Sequence, residues 1–219
     1  MFFNSHAHIR MNDSVVIVNE SINNIELMDY YSIGIHPWVT ISMTEDNFLK
    51  IQQLASKKNC LAIGEIGLDK LKGPDFEIQK EVFTKQILIA EKMELPVILH
   101  CVKAWNEVLT IKTATKPKQQ WIFHGFNKVG ILKSVVEQGL IISIGASILT
   151  NEKLQEVLCL IPNDQLLLET DDVPIDIFEI YKKVSEIKQI SLQALEQIIE
   201  ENFKRTFKKW QIGWNAQNC

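Results

Sequence analysis

Five histidines occur in the 219 residues, and each stands at or just past the end of a short apolar run. His6 and His8 lie two apart in FFNSHAH, His36 closes YYSIGIH, His100 closes PVILH and His124 closes WIFH. Two carboxylates share that setting, Glu65 in CLAIGEI and Asp171 just after QLLLET. A lone histidine there is more often a packed or capping side chain, and a lone acidic residue more often caps the next helix. All of them together read differently. Gathering so many ionisable groups without a cation is costly in desolvation and like-charge repulsion. Imidazoles with carboxylates suit Zn²⁺, Mn²⁺ or Fe²⁺, and a carboxylate able to bridge points to two cations. Mg²⁺ is less natural beside so many nitrogens. Alternate residues of a strand face the same way, so His6 and His8 can point to one place.

The elements that must position these groups are strand-like runs at 2–6, 15–19, 30–36, 60–66, 96–100, 121–124, 140–145 and 165–170. They are continuous and rich in Val, Ile and Leu, the pattern of parallel strands covered on both faces. Amphipathic helices separate the later ones. Val82, Phe83, Ile87, Ala90 and Met93 mark one face of the segment before Pro96, and Leu195, Ile199 and Phe203 mark another after the N-cap candidate Ser191. Strands alternating with helices predict an α/β fold, a (β/α)8 TIM-type barrel. The gaps after the first two strands are too short for crossover helices, so those helices are expected to be reduced and the barrel trimmed. In such barrels the C-terminal rim carries the chemistry, which is where the histidines and carboxylates fall.

Apolar residues make up 46% and charged residues 23% of the chain, with a net charge of −4. That suits one globular domain over 1–219 and gives no overall electrostatic footprint for nucleic acid. No apolar stretch reaches the ~18 residues that span a bilayer, and the start lacks a signal-peptide pattern. Cys60, Cys101, Cys159 and Cys219 are dispersed. Together these features predict a cytoplasmic protein without a membrane partner.

The motifs in order resemble the TatD family of metal-dependent hydrolases from end to end. They are SHAH (5–8), GIHPW (34–38), AIGEIGLD (62–69), QKEVFTKQILIAEKMELPVILHC (79–101), IFHGF (122–126), ISIGAS (142–147), LLLETD (166–171) and the tail segment ISLQALEQIIEENFKRTF (190–207). The resemblance implies that His6 and His8 hold one metal, Glu65 bridges two, His100 and His124 bind the second, and Asp171 approaches the metals and the attacking water. Asp171 and Glu65 are then the catalytic residues. His36 is assigned a place behind the ligands or against the substrate, and Lys103 a substrate contact. The implied activity is a phosphodiesterase or deoxyribonuclease using a metal-activated water at a dinuclear site, with Zn, Mn or Mg, acting on DNA or another phosphoester. The alternatives are hydrolysis of an amide, lactone or aminoacyl ester, and a non-catalytic metal-binding barrel.

The chain departs from the family pattern at Val102, where Arg is usual, at Asp172, where Ala is usual, in GLDK at 67–70 and in HGFNK at 124–128. It is also shorter than typical members. The departures fall in substrate-contacting loops and spare the ligands. Trp38 and Trp105 follow rim strands and could stack a base or simply cover the barrel. KRTFKK at 204–209 reads as a solvated helix end, and Trp210 and Trp214 as packing anchors.

Overall fold

The computed structural model describes residues 1–10, 14–22 and 30–210. Trp214 and Cys219 lie outside the described residues. Eight strands form one sheet in sequence order, from β1 (Phe2–Ala7) and β2 (Ser14–Glu20) through β3 (Tyr31–Ile33), β4 (Cys60–Asp69) and β5 (Val97–Val102) to β6 (Trp121–Phe123), β7 (Ile141–Ile144) and β8 (Leu166–Leu168). The described pairings are parallel. The last strand also meets the first: His8 N–H donates to the Asp171 carbonyl at 2.9 Å and Asp171 N–H to the His6 carbonyl at 3.1 Å. The fold is an α/β barrel of the TIM type. Helices α1 (Glu45–Ala55), α2 (Phe76–Met93) and α3 (Trp105–Thr115) follow β3, β4 and β5, and α4 (Leu132–Glu137) and α5 (Glu152–Val157) follow β6 and β7. Helices α6 (Ile177–Lys188) and α7 (Leu192–Thr206) follow β8. Among the described residues no helix lies between β1 and β3, as the short gaps require. None of the described helices is long and apolar enough to cross a membrane.

The strand bounds differ from the sequence expectation in three informative places. β3 stops at Ile33, and His36 instead caps a 3₁₀ segment, Pro37–Ser42. Pro37 has no N–H to give a strand partner, so the ladder ends before it. β4 runs on to Asp69, which leaves Glu65 within the strand at a break in the ladder register between Ile63 and Ile66. β6 ends at Phe123, and the chain turns past His124 at Gly125, where φ is +55°.

The chain divides into two compact units, with the division falling inside β2 and at the start of β6. In the unit formed by residues 1–18 and 122–206, the core is the buried β7 and β8 packed with Phe3, Tyr181, Leu195, Ile199 and Phe203. The Phe3 and Phe203 rings lie 4.8 Å apart, which sets α7 against β1. Ser191 does cap α7, its Oγ accepting from Ala194 N–H at 3.1 Å. The KRTFKK segment ends this helix with Arg205 and Lys208 exposed, while Phe207 is buried.

In the other unit, residues 19–121 and 207–219, all ten positions of β4 are buried. The helix face expected before Pro96 buries Val82, Phe83, Ile87 and Ala90, with Gln79 and Gln86 on the same side and Met93 half-exposed. Asp75 starts that helix by accepting from Glu77 N–H at 2.8 Å. Trp210 is buried, as an anchor should be.

Candidate functional site

In the first unit, the end of β1 and the two segments that follow β6 and β8 carry His6, His8, His124 and Asp171. One ligand atom from each of His6, His124 and Asp171 lies within 4.8 Å of the others. Nε2 of both His6 and His8 is 3.4 Å from the same Asp171 Oδ1, and the two rings are 5.2 Å apart. The H-x-H pair therefore faces one way although His8 stands a residue beyond β1. Burial works against ionising Asp171. The hydrogen bonds from His6 and His8 and the charge of His124 outweigh it and hold the carboxyl well below the usual range. Its backbone φ is +56°, a left-handed conformation that Asp tolerates better than most residues.

Glu169 was not foreseen from the sequence. Its side chain is fully buried, Oε1 accepts from Gly125 N–H and lies 3.4 Å from His124 Nδ1, and Oε2 has no hydrogen-bond partner. A carboxylate oxygen left so is costly unless a cation or proton satisfies it. Its spacing of two from Asp171, across the end of a strand, was the available signal.

The polar residues of β1 hold this arrangement from beneath. Asn4 exchanges hydrogen bonds with Thr170, at 2.8 Å to the hydroxyl and 3.1 Å from the backbone N–H. The Ser5 and Ser143 hydroxyls are 2.8 Å apart. From α6, the Tyr181 hydroxyl donates to the Phe3 carbonyl and accepts from its N–H, both at 3.0 Å. These buried hydrogen bonds fix the register of the strand that presents His6.

In the second unit, His36, Glu65 and His100 form a set of their own, again with ligand atoms within 4.8 Å of one another. His100 Nδ1 is 2.5 Å from Glu65 Oε1, while His36 Nε2 is 3.3 Å from that same oxygen and 3.3 Å from His100 Nδ1. His36 thus stands among the donors of this unit. Asp69, also unforeseen, is buried at the end of β4 with Oδ2 3.4 Å from His100 Nε2 and 2.7 Å from Trp38 Nε1. Burial again opposes the charge. The Trp38 N–H, the Leu71 N–H at 2.7 Å, His100 and the Lys72 N–H at 3.1 Å prevail and lower the Asp69 pKa. An even spacing from Glu65 along a strand was the sequence signal for it.

Two buried glutamines seven apart on α2 position these groups. Gln86 clasps the backbone of Ile35, accepting from its N–H at 2.7 Å and donating to its carbonyl at 3.0 Å. Gln79 does the same for Asp69, at 2.9 and 3.0 Å. Asn19 Oδ1 accepts from the Glu65 N–H at 2.7 Å. At Gly67, φ is +152° and a Cβ would come within 1.9 Å of the His100 carbonyl oxygen, so only glycine lets β4 and β5 close up here.

The two tryptophans separate. Trp105 is 8% exposed and covers the core, whereas Trp38 is 45% exposed. Lys103 is exposed just past β5 at φ +56°, and Val102 is half-buried at the strand's end.

Each unit therefore offers nitrogen and oxygen donors in close convergence, a donor chemistry that fits a divalent cation of the Zn or Mn type. Residues 6–208 match the family described as TatD-related DNase. The chain belongs to that family. A metal-dependent hydrolase of Bacillus subtilis named YabD, itself described as uncharacterized, is 32% identical over 212 residues, which cover 87% of this chain and 83% of that protein. The 3'-5' ssDNA/RNA exonuclease TatD of Erwinia tasmaniensis is 34% identical over 144 residues, 63% of this chain and 56% of that protein. The chain thus spans little more than half the exonuclease's length. Among solved structures, the TatD homologue YjjV of Escherichia coli matches with a TM-score of 0.81 at 22% identity, covering 94% of this family member and 98% of that chain.

Proposed function

We propose that this chain is a divalent-metal-dependent hydrolase that cleaves phosphodiester bonds, with DNA as its substrate, and that residues 1–219 act as one hydrolase domain. The observation that carries the reading is a donor set within each unit, His6, His124 and Asp171 in one and His36, Glu65 and His100 in the other, each joining imidazoles to a carboxylate. His6, His8, His124 and Asp171 are proposed to hold one cation, and Glu65 and His100, joined by His36, another. The number of nitrogens favours Zn²⁺ or Mn²⁺ over Mg²⁺. Bound there, divalent cations activate water near neutral pH and neutralise charge growing on a phosphoryl group. Asp171, kept ionised, accepts a hydrogen bond from the attacking water and orients it. Glu169 anchors the backbone at Gly125 next to His124 and keeps that imidazole in place. Free Cys60 is buried and free Cys159 is exposed, which supports a reducing, cytoplasmic setting.

Val102 and Lys103 favour a second reading. A guanidinium that would grip a phosphate is replaced by an aliphatic residue and an exposed amine, which suits an amide, lactone or aminoacyl ester. An assay of metal-loaded protein against single-stranded DNA, duplex DNA, a generic phosphodiester and an ester panel separates the two. Asp171→Asn is expected to lower turnover about a hundredfold or more while the three histidines of its unit retain cation. Unchanged turnover in that variant would remove Asp171 from the mechanism.

A further inference from the structure

We infer that Trp38 is a stacking platform that holds a nucleobase next to the scissile phosphate, an extension that rests on the phosphodiesterase reading. Trp38 lies beside the second donor set: its indole ring is 4.6 Å from the His36 ring and 5.9 Å from the His100 ring, centroid to centroid. Its N–H is bound to Asp69 Oδ2 at 2.7 Å, and the same oxygen faces His100. The ring is thus oriented by the carboxylate that touches a proposed ligand, yet it is 45% exposed. A large aromatic held in place beside a donor set with nearly half its surface to solvent offers a face to a ligand, in contrast to buried Trp105 and Trp121.

What already covers it points to the kind of ligand. The Lys72 ammonium sits 4.3 Å from the Trp38 ring centroid. That is a cation–π contact at an exposed site, weak enough to be exchanged. A base stacking on the indole would replace the ammonium and leave it beside an anionic sugar-phosphate backbone. Val39, next to Trp38 in sequence, and Leu71, just past β4, are exposed, and Lys70, Lys72 and Lys103 follow the ends of β4 and β5. Aromatic and apolar surface interleaved with lysines is the composition that binds single-stranded nucleic acid, through base stacking and charge and with little reading of sequence. A duplex keeps its bases stacked on one another, so such a platform favours single strands.

The test compares metal-loaded protein on a single-stranded oligonucleotide with the same strand made abasic at the positions flanking the scissile bond. The wild-type protein is expected to show a kcat/KM about tenfold higher on the base-bearing strand. Trp38→Ala is expected to erase that ratio, mostly through KM. Trp38→Phe, which keeps a ring and loses the N–H, is expected to retain most of it. A wild-type ratio near one, a ratio that survives in Trp38→Ala, or a ratio lost equally in Trp38→Phe would each overturn the stacking role. Failure of the wild type to cleave either strand would overturn the phosphodiesterase reading along with it.

Discussion

Asp69 and Glu169 carry a lesson at the scale of single residues. Neither announces itself in the sequence as a ligand, and each is buried against a histidine that does. A carboxylate in such a place is informative because its burial must be compensated. For Asp69 the compensation is visible as hydrogen bonds from Trp38, Leu71, His100 and Lys72, which lower its pKa in the folded chain. The sign follows from linkage. A depressed folded pKa contributes stability that is present above the unfolded carboxylate value of about 3.9 and is lost as pH falls through the folded value. The stability difference between the wild type and Asp69→Asn, measured by urea unfolding of the metal-free protein, is therefore expected to be largest above about pH 4 and to shrink below it. A difference that grows on acidification would contradict the assignment. The five histidines were legible because their type is rare and their placement regular. His36 stands out in the sequence as a candidate, and its company with Glu65 and His100 emerged only from distances of 2.5 to 3.3 Å.

Elements position these groups through a few buried amides and hydroxyls that periodicity does not flag as functional. On α2 the apolar face was readable, with Val82, Phe83, Ile87 and Ala90 buried as expected. Gln79 and Gln86 share that face because each satisfies two backbone groups next to a site residue. Gln86→Ala would strand the Ile35 N–H and carbonyl in the core, at a cost of about 2–4 kcal/mol. Its Tm is expected to fall by roughly 2–4 °C per kcal/mol. Turnover should fall more than stability alone accounts for, since His36 follows Ile35 directly. An unaltered Tm would show that Gln86 is not the clasp. The limits of β3 and β4 differ from the expected ones for a related reason. An apolar run shows that a strand exists, while its end depends on where hydrogen-bond partners run out, at Pro37 for one and after Asp69 for the other.

At the scale of the whole molecule, resident cations link to stability by mass action. A cation that binds the folded chain at a hundred times its Kd contributes about 2.7 kcal/mol. Chelation is expected to lower the Tm by several degrees, and Zn²⁺ or Mn²⁺ to restore it in proportion to the logarithm of its concentration. A Tm indifferent to chelator, with no metal in elemental analysis of the purified protein, would count against both donor sets. The eight strands, their order and the lack of a helix between β1 and β3 among the described residues followed from the sequence by itself, because burial on both faces and the length a crossover needs are local properties of the chain. The candidate residue types were readable there too, since rare ionisable groups at strand ends stand out one by one. Only the tertiary structure decided which of these side chains approach one another, that Glu169 and Asp69 lie beside the histidines, and that Trp38 stays at the surface while Trp105 is covered. Those outcomes depend on ångström-scale approach between segments far apart in the chain, and hydrophobic pattern does not encode that distance.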